Sequence, residues 1–219
     1  MNETVRTRPY GLEKNRLEAL ADGIFAVSLT LLVLDIKLPE HAIAATHEEL
    51  VRNLLGLERH LVIYVISFVV IGIFWINHHV QFHFVERTNR RLIWINLLYL
   101  LLVSFVPFAT DLIGDHKELV LPCEIYGFAL LALSATSLGH LHYLVRHPEL
   151  VSNELTADVY RTIKRRIEVS AIVPLLSMLA ALFSTHIAVY VYLLLATAHF
   201  FPGTIDERFG PRGRVRLPI

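Results

Sequence analysis

Long apolar runs separated by short charged clusters dominate the chain. A helix needs roughly 20 mostly apolar residues to cross a hydrocarbon layer about 30 Å thick. Six stretches approach that requirement: Leu17–Ile36, Glu58–His79, Arg91–Leu112, Leu119–Leu141, Arg166–Ser184 and His186–Phe201. The second, third and fourth are strongest, with runs such as LVIYVISFVVIGIFW and LIWINLLYLLLVSFVPF. The fifth and sixth meet at Ser184, Thr185 and His186, and the sixth is short. A helix satisfies its own backbone polar groups, as the bilayer interior demands. The pattern predicts an all-α integral membrane protein: six transmembrane helices in one domain over residues 1–219. Between the first two helices, HEELVRNLLG predicts a short surface helix, and residues 145–165 have the pattern of a short amphipathic one.

Charge placement gives this plan a direction. Sixteen of the 20 lysines and arginines fall at the N-terminus, in the second-to-third and fourth-to-fifth connections, and at the C-terminus. Only Lys37, Arg52, Arg59 and Lys117 fall in the alternate segments. Six helices put the four basic segments on one face, and the positive-inside rule makes that face cytoplasmic. Both termini are then expected inside a cell membrane, whereas five or seven helices would separate them. Composition agrees with the bilayer as solvent: 54% of residues are hydrophobic, 18% are charged, and mean hydropathy is +0.52. The formal net charge is zero and the pI is near 7.2, so nothing points to a nucleic-acid partner. Cys123 is the single cysteine, which excludes an intrachain disulfide. The polar start, MNETVRTRPYGLEKNR, carries no apolar segment with a small-residue cleavage site, so no cleaved signal peptide is expected.

The first helix holds the chain's most unusual polar residues. Glu18 and Asp22 lie four residues apart and share one face. An ionisable residue in a span is expensive and usually turns inward to a partner. Either a structural contact or a functional role fits Asp22. At about 100° per residue, Gly23, Val27, Thr30, Leu31 and Leu34 fall together, away from Glu18, Asp22 and Phe25. Spacing alone leaves that aliphatic face open to lipid, to core or to a pore gated by dewetting.

These residues resemble the opening of the transmembrane protein 175 family, the lysosomal potassium-channel family. Its Arg-x-x-x-Phe-Ser-Asp motif corresponds here to Arg16 through Asp22, with Leu20 and Ala21 in place of phenylalanine and serine. TLLVLDIKLP from Thr30 to Pro39 follows the family pattern, as do SFVVIGIFWINHHVQF from Ser67 and NLLYLLLVSFVPFATDLI from Asn96. The resemblance implies a homotetramer in a lipid bilayer that conducts potassium ions, needs no cofactor and catalyses no reaction. It implies a central pore lined by the first helix of each subunit, with no re-entrant pore loop. The constriction would correspond to Val27, Leu31 and Leu34, with Thr30 beside them. Arg16 and Asp22 would join Trp75, His78 and Asn96 in a polar network bracing that helix. Loss of a hydroxyl at Ala21 and of a ring at Leu20 would change how the helix is held. Val27, smaller than isoleucine or leucine, would leave a wider and more permissive ring.

Three rival readings compete. His78, His79 and His83 end the second helix, and His140, His142 and His147 end the fourth. Membrane di-iron enzymes use paired histidine boxes in such places, but HLHYLVRH does not keep its histidines on one helical face. A secondary transporter would show paired broken helices, and Pro107 and Pro174 form no obvious inverted repeat. A non-conducting structural relative is the third.

Overall fold

The structure, a computed structural model, describes residues 13–37, 46–116 and 118–195. Among these the regular secondary structure is helical, apart from one isolated antiparallel bridge between Val85 and Val151. Helix α1 spans Lys14–Leu31 and tightens into a 3-10 turn over Leu32–Asp35. Helices α2 (His47–Leu55), α3 (Glu58–His83), α4 (Arg90–Asp115), α5 (Val120–Arg146), α6 (Ala157–Ala181) and α7 (Thr185–Val191) follow. Four segments are long and apolar enough to cross a membrane: α1 with its 3-10 turn, α3, α4 and α5.

Side-chain caps fix several helix starts. Asn89 accepts a hydrogen bond from Leu92 N, Thr156 from Val159 N and Ser184 from Ile187 N, each satisfying an orphan backbone donor. Thr46 and Glu49 form a reciprocal capping box on α2, the surface helix expected from the sequence. The largest departure is α6. It begins at Ala157, not at Arg166, and takes in the second half of the segment 145–165 expected to form a separate amphipathic helix; the first half holds the end of α5 and a 3-10 turn over Pro148–Leu150. Its buried positions explain the continuity: Val159, Ile163, Ile167, Ser170, Pro174, Ser177 and Ala181 form one stripe at helical spacing. The charges of its first turns sit on the other face and hide that stripe from a hydropathy average. Helices α3, α4 and α5 also run past their expected ends, to His83, Asp115 and Arg146. The sixth apolar segment is helical from Thr185 and its described part reaches Leu195. Its expected end at Phe201 lies outside the described residues, as do Arg6, Arg8, Lys117 and the arginines from Arg208 onward.

Helix α1 packs on α3 and α4, α4 on α5, and α5 on α6, with α7 folded back on α6. Phe25, Phe74, Leu100, Tyr126 and Leu130 lie in the common core. In lipid, packing and interhelical hydrogen bonds hold such a bundle, because the solvent is as apolar as leucine. Close approach is built in at Gly127 of α5, where an added Cβ would collide with Met178 of α6. Ser177 Oγ donates to Ala188 O at 2.8 Å and ties α6 to α7. A polar knot joins α3, α4 and α5: Thr110 Oγ1 lies 3.1 Å from Ser67 Oγ, which lies 3.1 Å from the Tyr126 hydroxyl.

Candidate functional site: the exposed face of α1 and the polar clamp behind it

Helix α1 has two unlike faces. Leu17, Ala21, Phe25, Ser28 and Leu32 form a buried stripe against α3 and α4. Opposite it, Leu20, Gly23, Val27, Thr30, Leu31 and Leu34 are all exposed in the single chain, Val27 at 56% and Leu34 at 59%. Nothing lies within 4 Å of where a Gly23 Cβ would stand. An apolar groove of about 380 Å³ runs along this side, lined chiefly by Leu20, Gly23, Val27, Leu31 and Ser104 of α4.

The 3-10 turn alters the expected face. Side chains three apart eclipse one another in 3-10 geometry, so the tightening from Leu32 draws Leu34 toward the line of Leu31. Thr30 is less available than its position suggests. Its Oγ1 bonds Ala26 O at 3.0 Å and Val27 O at 2.9 Å, so its proton is committed to the helix backbone. Leu20 opens onto the groove, whereas Ala21 is buried against the core. The two motif substitutions therefore affect different surfaces.

The residues expected to form one polar network fall into two pairs. Trp75 Nε1 donates to Asp22 Oδ1 at 2.9 Å, and the indole stacks on His79. His78 Nε2 donates to Asn96 Oδ1 at 2.8 Å, deep between α3 and α4. Phe25 of α1 spans the gap, its ring 6.0 Å from His78 and 6.2 Å from Tyr99. Arg16 is exposed and helical spacing puts it with Gly23 and Val27; no side-chain contact joins it to either pair among the described residues.

Sequence reasoning missed the partners that complete this region. Gln81 Nε2 donates to Ser137 Oγ at 2.7 Å and to Asn77 O at 3.4 Å, which leaves Oε1 to accept from His140 Nδ1 at 2.8 Å. Phe82 stacks on His78 at 4.3 Å and on His140 at 5.2 Å, joining the two pairs of side chains. Tyr99 donates to Phe74 O at 2.9 Å and stacks on His78. The available signal was spacing: His78 and Gln81, like Ser137 and His140, are polar residues three apart in apolar helices.

This geometry disperses the histidine clusters. His78 and His140 serve the buried clamp, His79 stacks on Trp75, and His83 lies 3.7 Å from Glu154. His147 bonds Tyr143 O at 2.9 Å, and His142 is exposed. Among the described residues no three His, Cys, Asp or Glu side chains come together to hold a metal.

Comparison with known proteins gives this arrangement a context. A family profile described as the endosomal/lysosomal potassium channel TMEM175 matches residues 16–107. A potassium channel of a Chryseobacterium species is 30% identical over 197 residues, covering 90% of this chain and 97% of that protein. The human endosomal/lysosomal proton channel TMEM175 is 22% identical over 189 residues, which is 85% of this chain and 37% of that one. Among solved structures, a lysosomal potassium-selective channel TMEM175 homologue from Chamaesiphon minutus superposes with a TM-score of 0.71 at 30% identity. That match covers 84% of this chain and 95% of the other.

Proposed function

The chain belongs to the TMEM175 family, and from that premise we propose that it is a potassium channel whose pore is lined by α1. It is a multi-pass membrane protein with four helices suited to crossing the bilayer. In the proposed assembly α6 and the segment from Thr185 complete six spans of one domain over residues 1–219. Both termini are cytoplasmic, the membrane is the cell membrane, and four copies surround a central path. The exposed apolar face of α1, set opposite its buried stripe, is the observation that carries this reading. Turned inward by fourfold assembly, Val27, Leu31 and Leu34 form an aliphatic neck with Thr30 beside it.

Such a neck works by dehydration. An ion gains nothing from alkyl groups that replaces its water, so a narrow apolar ring empties of water and blocks conduction until it widens. Its geometry depends on how firmly α1 is held from behind. The Asp22–Trp75 bond and the contact of Phe25 with His78 tie α1 to α3. The His78–Asn96 and Gln81–His140 bonds in turn fix α3 to α4 and α5. These groups brace the pore helix without touching ions.

The test is flux through purified protein in liposomes, with potassium, sodium and proton gradients compared. Fast ohmic potassium flux exceeding sodium flux supports the proposal. Slow saturable flux would indicate a carrier and no flux a non-conducting relative. Dominant proton flux would move the chain toward the named activity of its human relative.

A further inference from the structure

At the opposite end of α3 from the His78 clamp, Arg59 stands in the helix's first turn. It lines a cavity of about 200 Å³ between α3 and α7, together with Val62, Ile63, His186, Val189 and Tyr190. Arg59 Nη1 donates to His186 Nδ1 at 3.2 Å. A guanidinium has only donors, so Nδ1 accepts and the imidazole proton sits on Nε2. The other two guanidinium nitrogens, Nε and Nη2, are buried and have no partner among the described residues. A buried cation with bare nitrogens is strongly unfavourable.

A group that completes these nitrogens must accept hydrogen bonds, and a negative charge on it would offset the cation. Glu58 also lines the cavity, but neighbours in a helix point to different faces. No Glu58–Arg59 ion pair forms among the described residues. The first turn of a membrane-crossing helix stands near headgroup level. The half-exposed Tyr190 suits that depth, where aromatic rings with a polar tip concentrate. Val62, Ile63 and Val189 make the apolar wall.

We propose that Arg59 and His186 bind the phosphate of a phospholipid headgroup, with the lipid's apolar part against the wall formed by α3 and α7. The planar guanidinium matches phosphate oxygens in a fork, and His186 Nε2–H supplies a further donor. This assignment depends on α3 crossing a membrane, not on which ion passes α1. Free inorganic phosphate offers the same oxygens without an apolar part, so the two sources separate by experiment.

The full-length protein is purified, stripped of lipid and titrated by native mass spectrometry with phosphatidylglycerol, then with inorganic phosphate. Phosphatidylglycerol is expected to bind, and Arg59→Gln to lower its retention about tenfold, the effect of losing charge-assisted bonds. Arg59→Lys should fall between, because an ammonium keeps the charge but not the fork. Arg52→Gln, an exposed arginine on α2, should leave retention unchanged. If Arg59→Gln does not fold, Arg59→Lys and His186→Phe are read in its place. Equal retention by wild type and the Arg59 variants overturns the site. Phosphate binding as tightly as the lipid overturns the headgroup assignment. An experimental structure pairing Arg59 with Glu58 or another carboxylate of this chain overturns both.

Discussion

Along α1, only 28% of the most apolar window is buried, and its substantial neighbours are α3 and α4. Along α5 the buried share is 50%, and His140 and Ser137 find hydrogen-bond partners across the helix interface. The two helices carry comparable apolar sequence but meet different demands. In the proposed assembly α1 faces a shared axis, and such a helix must leave a side chemically blank. A helix that fixes its neighbours buries polar groups that need partners, since each unsatisfied one costs about 1–3 kcal/mol; on α5 His140 Nδ1 and Ser137 Oγ find theirs, while His140 Nε2 has none among the described residues. Substitutions at the two places should therefore fail in different currencies, the clamp in stability and the α1 face in conduction.

The sharpest separation comes from Gln81→Leu. It removes the acceptor for His140 Nδ1 and the donor to Ser137 Oγ at once. We expect a loss of about 1–3 kcal/mol in stability, read from thermal or denaturant unfolding in detergent. The ion preference of the surviving folded protein should be unchanged. Altered selectivity at unaltered stability would reverse the assignment of the two regions.

Leu31→Ala tests the opposite pole. The side chain is 41% exposed in the single chain, so truncation should change stability by less than about 1 kcal/mol. Conductance should rise several-fold and the potassium-to-sodium ratio should fall, because a shorter side chain widens and wets the neck. Single-channel recording or stopped-flow liposome flux measures both. Unchanged conduction in a folded tetramer would remove Leu31 from the pore.

Trp75→Phe probes the connection between the regions. It deletes the N–H that reaches Asp22 and retains most of the ring's volume. The bond is exposed in the single chain, so the expected cost is about 0.5–1 kcal/mol, toward the low end for a hydrogen bond. A small change in conductance should accompany it if α1, which carries Asp22, lines the pore as proposed. Combined with Leu31→Ala, its effect on conductance should depart from additivity, as for positions coupled through one rigid element.

How far these regions were legible in sequence follows from the kind of signal each leaves. The strong spans α3, α4 and α5 were legible because apolar length is a local property, and so was the short surface helix α2, though not its capping box. The face of α1 was legible because helical periodicity orders side chains without knowledge of neighbours. The start of α6 was not, since Val159, Ile163 and Ile167 continue a stripe that Arg161, Lys164, Arg165 and Arg166 mask in any average. The Gln81–His140 bond joins residues 59 apart, and the choice of partner depends on how α3 and α5 cross. Phe25 was assigned to the far side by spacing, but its placement against His78 and Tyr99 needed the packed bundle.

Val27→Ile gives the smallest expected effect and the finest discrimination. Val27 and Leu31 are one turn apart on the groove, and Gly23 above them leaves its surroundings open. In the proposed tetramer one added methylene on each subunit would narrow a ring at four points simultaneously. Because Val27 is 56% exposed in the single chain, the methylene meets no packed core and stability should move by no more than about 0.5 kcal/mol. If Val27 forms part of the neck, conductance should fall modestly, about two- to three-fold on the dewetting argument, and potassium preference should rise. If it faces lipid or a neighbouring subunit, the same methylene should leave conductance and selectivity unchanged. The pair Val27→Ile and Leu31→Ala also locates the narrowest level. Where Leu31 sets it, the double variant should conduct like a mildly narrowed Leu31→Ala channel; where Val27 sets it, the added methylene should cancel most of the gain.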